Sequence, residues 1–109
     1  MSVPVALDDL PEQVLRFVLG PYLITVGPDR ASRTASVSVS WQDGMLVAGV
    51  GARTAANVRA NGAVTLLWPA LEQGRHALIV DGWGDLREVP EEPIRVLIRP
   101  GRAVLHVTR

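Results

Sequence analysis

The chain has 109 residues, 48% of them hydrophobic, with 11 basic against 11 acidic side chains, two histidines and no cysteine. All eleven bases are arginine, which excludes Schiff-base chemistry and a Walker-type phosphate lysine; the missing cysteines exclude disulfides, thiolate nucleophiles and zinc–thiolate or iron–sulfur sites. The balanced charge lacks the basic stripe of a nucleic-acid binder, and a chain this short supports one domain, residues 1–109, whose small core favours a cavity shared with a second subunit. Residues 1–10 hold no basic region followed by an apolar stretch, and no run is long enough to span a bilayer, so the expected compartment is the cytoplasm, with no membrane partner.

Asp9, Pro11 and Glu12 form a helix-start signal, and Leu10, Val14, Phe17 and Val18 recur at helical spacing until Gly20-Pro21. The pattern predicts a helix of two to three turns, placed as a lid or plug. From Tyr22 the rhythm changes to short β-forming runs separated by Gly, Pro and Asp, the mark of an antiparallel barrel or sandwich. Strands are expected at Tyr22–Val26, at Thr34–Trp41 and, after the two-residue hairpin signal Asp43-Gly44, at Met45–Val50. In Thr34–Trp41 the residues Ala35, Val37, Val39 and Trp41 alternate with Ser36, Ser38 and Ser40. Arg53–Ala60 reads as a short alanine-rich helix anchored by Val58 and stopped by Asn61-Gly62. Ala63–Trp68 and Ala77–Val89 follow as strands, the second with a bulge or bend at the glycines flanking Trp83. Ile94–Arg99 and Arg102–Thr108 close the chain as a hairpin across Pro100-Gly101, with Arg95 and Arg99 on one solvated edge face.

The segment with the most chemical content is Gly49-Val50-Gly51-Ala52-Arg53-Thr54-Ala55-Ala56-Asn57, which runs from a strand end through a glycine turn into a helix start. Such a start offers unpaired N–H groups and the positive pole of the helix dipole, so it can hold a phosphate without lysine; Arg53 adds a guanidinium fork and Thr54 a hydroxyl. A threonine at the start of a helix after a glycine turn is also ordinary capping. His76 and His106 are too few for a metal site but leave an axial haem ligand open. Trp41, Trp68 and Trp83 suit a core, a subunit interface or stacking on a planar cofactor. Asp81 interrupts an apolar strand without a recognisable acid–base partner.

The order of strand, Trp41-x-Asp43-Gly44 hairpin, strand, Arg53-Thr54-Ala55-Ala56-Asn57 helix and Ala63–Pro69 resembles the pyridoxamine 5′-phosphate oxidase-like family, and Leu78–Gly82 and Arg102–His106 continue the match. The resemblance implies a mainly β, antiparallel split barrel of six to seven strands with two short helices, a homodimer holding FMN between its subunits. In that family a Ser-Arg-Lys triplet grips the flavin phosphate; Ala52, Arg53 and Thr54 stand there, so only the arginine is kept. The resemblance further implies that Val47, Ala48 and Gly49 border the flavin and ribityl chain, that Ser38 and Ser40 come from the neighbouring strand, and that Asn57 orients the helix or contacts the phosphate. The function it implies is a small FMN-dependent oxidoreductase of unknown substrate. The altered triplet leaves deazaflavin, haem or no cofactor as alternatives, the last giving a non-catalytic split-barrel ligand-binding or interaction module.

Overall fold

In the computed structural model, which describes residues 2–71 and 75–107, the elements in chain order are β1 (Ser2–Val5), a single 3-10 turn (Leu7–Asp9), α1 (Leu10–Val14), β2 (Tyr22–Val26), β3 (Ser32–Ser36), β4 (Val39–Gln42), β5 (Met45–Gly49), α2 (Ala52–Ala60), β6 (Ala63–Trp68), β7 (His76–Arg87) and β8 (Arg95–Val107). Hydrogen bonding joins them in the order β3-β2-β6-β7-β8-β5-β4, with β1 added beside β8, and every pair is antiparallel. β3 and β4 follow each other in the chain yet lie at opposite ends of this path. Val37 and Ser38 join them, and the sheet curls until its two ends meet there without pairing. The expected split barrel is thus present, with eight strands because Ser2–Val5 adds one that the sequence did not announce.

Alternation decides what fills the barrel. Leu23, Leu46, Ala48, Val64, Leu66, Trp68, Leu78, Val80, Val96, Ile98 and Ala103 point inward and are almost entirely buried. Val58 of α2 closes one end of this core and Leu10 of α1 joins it from the other side of the chain's layout, with Val14 and Phe17 partly buried against it. Complete burial of one such side chain is worth roughly 1.5–3 kcal/mol, so these few positions carry the fold.

Four expectations change. The first helix ends at Val14 rather than reaching Gly20, and Val18 is 79% exposed instead of packing. Asp9 has helical backbone angles, because a 3-10 turn already precedes α1, and its carboxylate makes no capping hydrogen bond. Thr34–Trp41 is two strands, broken at Val37 and Ser38, although the inward and outward alternation passes unchanged through the break. Pro100-Gly101 is a bulge inside the continuous β8 rather than a hairpin turn: Asp81 pairs with Arg102 and Gly82 with Pro100, leaving Gly101 extra. β8 therefore lies between β7 and β5, so Arg95 and Arg99 are on a central strand, ion-paired with Glu92 at 2.9 Å and Asp85 at 3.8 Å. Thr108, expected to end the last strand, is outside the described residues.

The Asp43-Gly44 hairpin forms as expected, with φ of 51° and 78°, the paired left-handed angles that match the twist of the flanking strands. Gly62 stops α2 for a different reason from the one its position suggests. Asn61 is extended, and a Cβ at residue 62 would lie 2.5 Å from the Trp83 indole, so the glycine is needed for close approach.

Candidate functional site

α2 begins at Gly51, an extended N-cap with no side-chain hydrogen bond, and no acidic residue occupies the first turn. The first helical bond is from Ala55 N to Gly51 O at 3.0 Å. The N–H groups of Ala52, Arg53 and Thr54 consequently have no intrahelical acceptor, and with the dipole they make an electropositive end. Arg53 is exposed beside it, without a hydrogen bond or ion pair among the described residues. A Cβ placed at Gly49 or Gly51 would meet nothing within 4 Å, so the approach to this helix start is open.

Thr54 is turned inward. Its side chain is almost fully buried, and its hydroxyl accepts from Arg33 Nε at 3.4 Å. Arg33 is a site residue that sequence reasoning missed: it lies on β3, opposite Thr25, and nothing local shows that this side of β3 meets α2. The structure thereby brings a second guanidinium to the helix start. Asn57, one turn on, donates from Nδ2 to Thr25 Oγ1 at 3.2 Å, and a Cβ on Gly27 would sit 2.8 Å from Asn57 Oδ1. Asn57 is held against β2, which positions α2.

The remaining residues singled out lie along β4 and β5. Val39 pairs with Ala48 and Ser40 with Val47, while on the other side Val47, Ala48 and Gly49 pair with Leu97, Val96 and Arg95. Ala48 points into the core; Val47 is buried outside the core cluster, and Ser38, Ser40 and Gly49 are exposed. Val50 N donates to Ile94 O at 2.9 Å, on the β8 side. The alternation of antiparallel backbone then turns the N–H and C=O of Gly49 to the opposite side, where β4 has already ended at Val39. Gly49, Ser38 and the start of α2 therefore border the same unpaired seam between β3 and β4. None of the eight residues expected from the sequence lines the cavity beside Phe17 and His76, the one beside Trp41 and Arg99, or the one beside Gly62 and Trp83.

No family model matches the sequence, and no curated protein does. Solved structures do match. The chain is similar to a putative pyridoxamine 5′-phosphate oxidase from Listeria innocua, at 18% identity over 92% of this chain and 98% of that one, with a TM-score of 0.70. It is similar to HutZ, the haem storage protein from Vibrio cholerae, at 12% identity over 95% and 98%, TM-score 0.72, and to an F420 reductase at 20% identity over 84% and 94%, TM-score 0.66. The fold is the pyridoxamine 5′-phosphate oxidase-like split barrel. At these identities the likeness is one of fold.

Within this split barrel the other candidates separate. Trp68 is core, 2% exposed; Trp41 packs partly against the core, its buried Nε1 without a partner among the described residues; Trp83 is 53% exposed. His106 Nδ1 and Ser2 Oγ form a 3.1 Å hydrogen bond across the β1–β8 pair, whereas His76 borders a cavity at the other end of the barrel from α2. Asp81 accepts a 2.6 Å hydrogen bond from Thr65 Oγ1 on the exposed face, a cross-strand tie. Among the described residues, no three His, Asp or Glu side chains converge as a metal site, and no helix is long and apolar enough to cross a membrane.

Proposed function

We propose that this split barrel binds FMN as a homodimer and works as a small flavin-dependent oxidoreductase. One observation carries the reading: a helix start with three unpaired N–H groups, no carboxylate, and both Arg53 and Arg33 beside it opens onto the barrel's unpaired seam. A dianionic phosphate monoester satisfies all of these groups at once. Arg53 and the first-turn N–H groups hold the phosphate, and Arg33 supplies the charge that the family's triplet takes from lysine. Asn57 fixes the helix, and Ser38, Ser40, Val47, Ala48 and Gly49 border the ring system and ribityl chain. Bound FMN supplies hydride transfer; the chain binds it, orients it and excludes water.

The homodimer has its own support. A flavin needs cover on both sides, and the residues above line none of those three cavities. Across the outside of the barrel, Tyr22, Leu67, Ile79 and Val104 also stand in one register row on four strands, all partly exposed and apolar. Such a row is suited to a second copy.

The burial of Thr54 favours a second reading, in which the barrel is a non-catalytic carrier or holds a deazaflavin or haem instead, because no side chain at that position reaches outward. One experiment separates the two. The visible spectrum of the purified protein is recorded, followed by titration with FMN, the deazaflavin and haem; tight FMN binding lowered about tenfold or more by Arg53→Ala supports the first reading. Failure of FMN to bind at tens of micromolar sinks it.

A further inference from the structure

A cavity of about 370 Å³ lies between α1 and the far ends of β6, β7 and β8, lined by residues that include Arg16, Phe17, Leu71, His76 and Leu105. It lies at the opposite end of β6 from α2: α2 leads into Ala63, at the near end of β6, whereas Pro69 of the cavity wall follows Trp68, at its far end. The two regions share no residue.

Its chemistry is divided. Phe17 and Leu105 pack against the core and form an apolar floor, with Pro69 and Leu71 at the side. Among the described residues the polar groups of the wall, Gln13, Arg16, Arg75 and His76, are all capable of donating, and none is acidic. Arg75 has an interaction of its own within the chain, so the inference stands on the others. Arg16 is exposed; its backbone N–H donates to Gln13 O at 3.1 Å, and its guanidinium has no hydrogen bond or ion pair among the described residues. An uncommitted guanidinium and an imidazole above an aromatic and aliphatic floor form a built contrast of charge and apolar surface, and the volume falls in the small-molecule range of roughly 300–1,000 Å³.

We propose that this cavity is a second binding site, for a small organic anion with an apolar body: one ring or short chain on the floor, and a carboxylate or phosphate monoester facing Arg16 and His76. A bare inorganic anion would leave the floor unfilled and lose hydration against it. A neutral molecule of the same shape would leave the guanidinium without its charge-assisted hydrogen bonds.

The probes are benzoate and phenyl phosphate, with benzyl alcohol and inorganic phosphate as the neutral and bodiless controls, added to isotope-labelled full-length protein and followed by amide chemical shifts. Saturable shifts at Phe17, His76 and Leu105 with either aryl anion are expected, and the tighter of the two identifies the head group. Arg16→Ala should weaken that anion about tenfold or more. Leu71→Glu, at a position 64% exposed, should do the same by repulsion while leaving the core intact. The proposal is overturned if neither aryl anion saturates, if benzyl alcohol or inorganic phosphate binds as well, or if both variants bind as the parent does. FMN binding is measured separately on the same variants, so loss of one site is distinguishable from loss of the other.

Discussion

Asn57 donates from Nδ2 to the hydroxyl of Thr25, 3.2 Å away, and Thr25 is completely buried. This bond ties α2 to the C-terminal end of β2. Thr25→Val keeps the shape and removes the acceptor, leaving the amide of Asn57 without its partner. The expected loss is about 1–2 kcal/mol in urea unfolding, and Thr25→Val with Asn57→Ala should cost less than the sum of the two single changes.

Two glycines beside Trp83 should respond differently to alanine. At residue 62 the new methyl meets the Trp83 ring at 2.5 Å, but that ring is half exposed and can swing away. At residue 82 it meets the backbone oxygen of Arg99, also at 2.5 Å, which the β7–β8 ladder holds in place. Gly82→Ala should therefore cost about 2–3 kcal/mol or more, and Gly62→Ala about 1 kcal/mol with a red-shifted tryptophan emission. Equal losses in thermal melts would contradict this.

Restoring the family's lysine should not by itself restore affinity. Thr54 is buried beneath Arg33, so Thr54→Lys places an ammonium where a guanidinium already lies at 3.4 Å. Thr54→Lys is expected to bind FMN more weakly than the parent, and the double change Arg33→Ala, Thr54→Lys more tightly than Thr54→Lys. Fluorescence titration reads both, and an increase with Thr54→Lys alone would contradict the placement of Arg33.

Deleting Gly101 removes only the residue without a partner, so Pro100 still faces Gly82, Arg102 still faces Asp81, and Ala103, 3% exposed, keeps its inward place opposite Val80. The deletion loses only the local bend of the bulge, so cooperative unfolding should persist, whereas a residue inserted after Arg102 would slip the register, reverse every side chain beyond it and abolish that cooperativity. Gly101→Ala, whose methyl would come no nearer than 3.7 Å to Asp81 O, should fold.

Glutamate at Leu67 or Ile79 charges the outer apolar row, where the two residues are cross-strand partners. In the proposed homodimer each change should halve the sedimenting mass, because an unpaired carboxylate would otherwise be buried between subunits. Because these side chains lie outside the core cluster, cooperative melting should persist. Unchanged mass would place the subunit interface elsewhere.

The strands that sequence marked best, Tyr22–Val26 and Ala63–Trp68, are those in which alternation ends at a glycine or proline. Alternation reports which face is buried but not which strand is the neighbour. That is why Ala35, Val37, Val39 and Trp41 read as one strand although the sheet changes edges at Val37. Pro100-Gly101 has turn residues, and only the pairing of Arg102 with Asp81 distinguishes a bulge from a turn. Ser2–Val5 has no β pattern of its own and is a strand by virtue of lying against β8. At the candidate site, Arg53 and the helix start were legible because the chemistry is local. Arg33 was not, because its contact spans 21 residues and depends on how β3 folds over α2.

The seam between β3 and β4 also sets where the barrel is compliant. Between any other neighbours along the sheet path, widening must break ladder hydrogen bonds; here it must instead turn Val37, a buried core residue whose N–H donates to Pro21 O at 3.1 Å, and Ser38 beside it. The barrel therefore behaves as a clasp with a two-residue pivot. Any change in the barrel's girth is concentrated at that pivot, and the strands paired on both sides are left undisturbed.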